Sequence, residues 1–222
     1  MSQISINQAC GDGCADQVTI NVNCTCKPPS PGPASSRLAE ASLYGYAAST
    51  GLPPHATYKL HYPTGPFLLG ATAILPAGVS LASIGIGVLE SGEGEMTGLS
   101  RLAVYIGGVA EKAGQTEHLP NLFAAGTTGW RWANLEAPVP AADADREVWL
   151  VAQVPSFATR MPTFLSSAPH IVPGFVNGLR ARSVMVQGLS QLPPIFDGDA
   201  VQFTPRSEIP LMAGLSTPIA QP

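Results

Sequence analysis

The four cysteines of this chain, Cys10, Cys14, Cys24 and Cys26, all lie in the opening stretch "CGDGCADQVTINVNCTC". Thiols this close together can form disulfides, hold a metal as thiolates, or stay reduced with no special role. In an extended strand Cys24 and Cys26 point the same way, with Cα atoms roughly 6.5–7 Å apart. That is the upper edge of disulfide geometry and disfavours a bond between the two. Cys10 and Cys14 can bond to each other across a hairpin loop, or to Cys24 and Cys26 within the chain or across subunits. The spacing C-x3-C-x9-C-x-C departs from the paired C-x2-C knuckles of structural zinc sites. A disulfide-stapled or disulfide-crosslinked anchoring arm is the favoured reading, and no metal or other cofactor is expected.

A second set of residues suits binding. Trp130 and Trp132 alternate in "GWRWANL" and therefore share one strand face, where they can stack on sugar rings or fill a core. Trp149 sits in "EVWLV". Catalytic chemistry has no such foothold. The sequence has no G-x-S-x-G elbow, P-loop, H-E-x-x-H or dinucleotide-binding glycine fingerprint. His55, His61, His118 and His170 are isolated. The acids Glu90, Glu93 and Glu95 in "ESGEGE", and Asp143 and Asp145 in "AADAD", read as solvated turn residues rather than calcium ligands. The chain is expected not to be an enzyme.

The elements around these residues read as strands. "ISI" and "VTINVNCTC" alternate with period two, and a hairpin around "CGDGC" fits them. Residues 1–27 thus form a cysteine-rich, hairpin-like arm. "PPSPGPASS" favours polyproline II, and residues 28–51 are assigned as a linker and connecting segment. From 52 to 205 about eight strands alternate with turn signals: "ATYKLHY", "FLLGATAIL", "VSLASIGIGVLE", "SRLAVYIGG", "WRWANLEA", "EVWLVAQV", "RSVMVQGL" and "AVQFTP". The expected class is all-β, a jelly-roll-like β-sandwich with an extended N-terminal arm that carries the cysteines. Residues between "VAQVPS" and "RSVMV" read as a long irregular segment, and 206–222 as a C-terminal tail.

The 23 uncharged residues "FLLGATAILPAGVSLASIGIGVL", 67–89, are long enough to cross a bilayer as a helix. Pro76 and the glycines argue against one. Ile84, Ile86 and Val88 fall on one face, with Gly85 and Gly87 on the other, so two buried strands joined at "LPAGV" are expected. The N-terminus has neither the basic nor the apolar region of a secretory signal, and none is expected.

Of the 222 residues 45% are hydrophobic and only 12% are charged, and glycine (23) and proline (22) together make up about a fifth. Such a charge-poor surface suits a subunit covered by neighbours. A net charge of −4 with no basic block gives nucleic-acid binding no electrostatic support.

Residues 66–155 resemble β-sandwich modules in structural proteins of tailed bacteriophages, such as minor tail proteins, collar proteins, fibre heads and capsid decoration proteins. The shared cues are an apolar strand ending in "LPAG", a glycine-rich turn, a "RLAVYI"-type strand, a "GW" strand and a "REVWLVA"-type strand. The resemblance implies a non-enzymatic virion structural protein on the particle exterior. It would be oligomeric, often trimeric in that group, with other virion proteins (capsid, neck or tail subunits) as partners. The arm would anchor it, and Cys10, Cys14, Cys24 and Cys26 would lock the contact. Neither nucleic acid nor membrane is an expected partner. The alternative is a carbohydrate- or receptor-binding head that takes a host surface glycan on Trp130 and Trp132.

Overall fold

The computed structural model describes residues 4–6, 18–20, 46–50, 58–60, 65–107, 110–124, 129–167, 182–189, 191–197, 204–205 and 209–220. In chain order the strands are β1 (Ile4–Ile6), β2 (Val18–Ile20), β3 (Ala48–Ser49), β4 (Tyr58–Leu60), β5 (Phe67–Leu75) and β6 (Leu81–Glu90). They continue as β7 (Met96–Thr97), β8 (Arg101–Ile106), β9 (Ala110–Gln115), β10 (Gly129–Val139), β11 (Arg146–Val154) and β12 (Ser156–Phe157). The last are β13 (Thr163–Ser167), β14 (Ser183–Gln187), β15 (Ile195–Phe196), β16 (Thr204–Pro205), β17 (Ile209–Pro210) and β18 (Met212–Leu215). The described residues contain no helix, and every strand pairing among them is antiparallel.

The chain divides into two compact units, Met1–Gly32 and Pro33–Pro222, and the boundary falls within the proline run. In the smaller unit β1 pairs with β2 in the register Ile4↔Ile20, Ser5↔Thr19, Ile6↔Val18. The four cysteines lie outside the described residues, as do His55, His61 and His170.

The larger unit holds two seven-stranded sheets. In the first, β6 pairs with β10 along one edge, and along the other with β18 and then β13. The second runs β15-β9-β8-β11-β5-β14-β16. One buried cluster draws on both: Ile84, Ile86 and Val88 of β6 meet Leu69 of β5, Val104 of β8 and Leu150 of β11. The outer face of the second sheet carries a cluster of its own, with Leu68, Tyr105, Trp149 and Val151 under Leu192 and Phe196.

Burial on both faces explains the long uncharged run. β5 and β6 account for most of it, and no helix among the described residues is long and apolar enough to cross a membrane. The "LPAG" turn is held by Gly78 at φ 74° and by Asp145, whose Oδ1 accepts the Ala77 amide at 2.9 Å. It does not make a hairpin, because β5 and β6 lie in different sheets.

Eight strands of the larger unit, β3, β7, β9, β12, β13, β15, β17 and β18, lie outside the expected eight, and the three longest have clear causes. β9, "AEKAGQ", lacks an apolar alternation and becomes a strand by pairing its backbone with β8 and β15. β13 forms within the stretch read as irregular, because its backbone pairs with β4, β6 and β17. Beyond residue 205 the chain is more than a tail, since β18 pairs with Ser83–Ile86 of β6 and fills the core with Met212.

Candidate functional site

β10 lies along β6 with Trp130 opposite Gly87 and Trp132 opposite Gly85. Strand alternation sends both indoles to the outer face, away from Ile84, Ile86 and Val88. The indole of Trp132 occupies the space a side chain at 85 would need: a Cβ there would stand 2.6 Å from Trp132 Cδ2 and Cε3. The two indoles are nearly parallel, with ring centroids 5.4 Å apart and planes 22° apart. Tyr46 joins them, its ring centroid 5.7 Å from that of Trp130 and 5.8 Å from that of Trp132. All three side chains are half-buried. The Trp132 indole lies against the Gly85 backbone, and partly exposed stacked rings of this kind suit the apolar C–H face of a saccharide.

The same face continues into a clamp. Asn134, two residues beyond Trp132, accepts the Ile219 amide at 2.8 Å through Oδ1 and donates to the Ile219 carbonyl at 3.0 Å through Nδ2. Its side-chain amide thus completes a backbone-like pair with the C-terminal segment. Ser83 Oγ lies 2.9 Å from both Asn134 Oδ1 and Thr217 O. Asn134→Ala removes both Ile219 bonds and is expected to weaken docking of this segment by about 1–3 kcal/mol. Hydrogen exchange at the Ile219 amide checks this, because selective acceleration there is the expected signature.

Trp149 has a different place. It is 1% exposed, packs at 5.3 Å from Phe196, and lies under the Arg182 guanidinium at 4.9 Å. Arg182 also pairs with Glu147 at 2.6 Å. Beside Trp149, Tyr105 donates to Pro193 O at 2.8 Å, and burial pushes its phenol well above the usual range. Arg131 alternates to the face opposite the two outer tryptophans, and desolvation lowers its guanidinium from the ordinary value.

The turn carboxylates serve structure. Glu93 pairs with Arg160 at 2.6 Å, and Asp145 holds the "LPAG" turn. His118 Nδ1 lies 3.1 Å from the Ser100 amide. Among the described residues no three His, Cys, Asp or Glu side chains group as a metal site.

Two parts of this geometry escape sequence reading. Tyr46 reaches the indoles from a segment whose local pattern is ambiguous. The Asn134 clamp joins positions far apart in the chain. The signal that could have found the platform is the pairing of two glycines at 85 and 87 with two tryptophans at 130 and 132, each set in period two. No family model matches the chain, and no curated protein does either.

Proposed function

We propose that the chain is a non-enzymatic structural subunit of a virion, displayed on the particle exterior and anchored through its N-terminal unit. The observation that carries this reading is the division at Gly32. A 32-residue piece is too small to bury a sufficient core by itself and needs staples or a host surface. All four cysteines lie in that piece. Disulfides from Cys10, Cys14, Cys24 and Cys26, within the arm or to neighbouring capsid, neck or tail subunits, would supply the missing stability once particles leave a reducing cytosol. The larger unit is then a jelly-roll-like sandwich, a reading supported by repeated crossing of the chain between its two sheets. A low-charge surface suits assembly with copies of itself and with other virion proteins.

Purified particles from the chain's source provide the test. The chain should co-sediment with them. With thiols alkylated beforehand, it should run above its 23.0 kDa mass without reductant and collapse to that mass with it. Absence from the particles would overturn the structural assignment, and a 23.0 kDa band under both conditions would remove the intermolecular lock.

The second reading, a saccharide-binding head for host adsorption, is favoured by the half-exposed stack of Tyr46, Trp130 and Trp132. It is compatible with the first in one protein, because it uses a different part of the chain.

A further inference from the structure

The outer face of the second sheet carries a polar cavity of about 350 Å³, in the lower range for small-molecule sites. Its floor is a cross-strand pair, Arg101 of β8 opposite Gln153 of β11. Lys112 and Gln115 of β9 form one wall, and Leu99, Gln191 and Leu192 complete the lining. The lining holds two cations and three carboxamides, and no acid.

One observation points to a missing ligand. The Arg101 Nε is buried with no hydrogen-bond partner, and Arg101 takes part in no ion pair among the described residues. With no carboxylate paired to it, the partly exposed guanidinium has its terminal nitrogens available for an anionic acceptor in the cavity. Gln153, only 2% exposed, lies beside it in the floor. The cavity is also preformed. The segment carrying Gln191 and Leu192 is held by the Tyr105 hydroxyl on Pro193 O at 2.8 Å and by the Lys112 amide on Pro194 O at 3.1 Å. Lys112 Nζ donates to Gln115 Oε1 at 3.0 Å, which orients that carboxamide. A carboxylate outside the lining, Glu136 Oε1, lies 3.4 Å from Gln115 Nε2.

We propose that this cavity binds a carboxylate-bearing sugar, of the uronic-acid class. The Arg101 fork matches a carboxylate in a bidentate manner, and Lys112 adds a second positive charge at the rim. Carboxamides both donate and accept, so a lining that holds them suits a hydroxyl-bearing ring better than it suits a bare anion. Leu192 offers an apolar surface to the ring carbons. The cavity is much larger than a single inorganic anion requires. The proposal needs neither the tryptophan platform, which belongs to the other sheet, nor the N-terminal unit.

Calorimetric titration of the full chain at low ionic strength tests it, with methyl glucuronide, methyl glucoside and inorganic phosphate as probes. Saturable binding of the glucuronide is expected, about tenfold or more tighter than that of either other probe. Arg101→Met should weaken it by at least about tenfold. Lys112→Ala, at an exposed position, should weaken it with the melting temperature unchanged, which covers the case in which Arg101→Met does not fold. Trp132→Ala should leave it intact. No glucuronide binding, or phosphate binding equally well, would overturn the proposal. So would an affinity unmoved by the Lys112 variant, or one lost with Trp132 instead, which would place the sugar on the platform.

Discussion

Trp149→Ala should lower the stability of the larger unit by about 3–5 kcal/mol, the largest single-residue loss expected among the described residues. The residue is 1% exposed at the middle of β11, where it faces Thr72 of β5 and Tyr105 of β8 across the ladder. Its ring is the floor on which Phe196 rests at 5.3 Å, and Phe196 contacts Tyr105 at 5.3 Å as well. Phe196 descends so far only because position 70 is glycine: a Cβ there would lie 2.7 Å from its Cζ. Removing the indole therefore leaves a void whose walls cannot all collapse, and it withdraws the surface under the Arg182 guanidinium. One effect runs the other way. Trp149 Nε1 is buried without a partner, so part of the indole's burial is unfavourable. Trp149→Phe, which keeps an aromatic ring and removes that donor, should cost less than about 1.5 kcal/mol. Urea unfolding followed by far-ultraviolet circular dichroism measures both variants. A loss below about 1 kcal/mol for the alanine variant would mean that the 191–197 segment, with Leu192 and Phe196, does not seal this face. The same segment supplies Gln191 and Leu192 to the polar cavity, so the alanine variant should also weaken glucuronide binding there.

The strands that sequence locates best are those whose pattern is set by burial. "FLLGATAIL" becomes a strand over its whole length, and Ile84, Ile86 and Val88 face the core with glycines between them, as their alternation requires. What local pattern cannot carry is partnership. The "LPAG" turn looks the same in sequence whether the strands it joins pair with each other or lie in opposed sheets, and here they lie in different sheets. "AEKAGQ" has no large apolar residue and is a strand because its backbone pairs with β8 and β15. β18 is hidden for a related reason. Its four residues, "MAGL", include Gly214, whose missing side chain is filled by Leu81 from β6, a contact no window of sequence contains. The sites follow the same logic. Trp130 and Trp132 stand out because one strand carries both. The cavity does not stand out, because Arg101 and Gln153 meet only through the register of β8 on β11.

Gly85→Ala should abolish any saccharide retention on the outer face of the first sheet, although it removes no ring and adds only a methyl group. That methyl would stand 2.6 Å from two atoms of the Trp132 indole, closer than carbon atoms approach without something shifting. The indole is rigid and has Trp130 stacked at 5.4 Å, so relief has to come from lifting Trp132 and opening the stack. Overpacking of this kind costs about 1–3 kcal/mol of stability. Trp130→Ala and Trp132→Ala truncate the platform directly. If the rings anchor a sugar, each should lose about 10–100-fold in affinity, as aromatic anchors do. Affinity electrophoresis in gels containing a neutral polysaccharide, run beside thermal melts, separates binding from folding. Trp130 is half-exposed, and the Cβ space at Gly87 beneath it is filled by Leu165, so its alanine variant should keep most of its stability. Retention lost in a Trp130→Ala protein that still melts cooperatively near the parent temperature assigns the stack to ligand binding. Unchanged retention in all three variants, with lowered melting temperatures, would assign it to packing alone and withdraw the saccharide reading of this face.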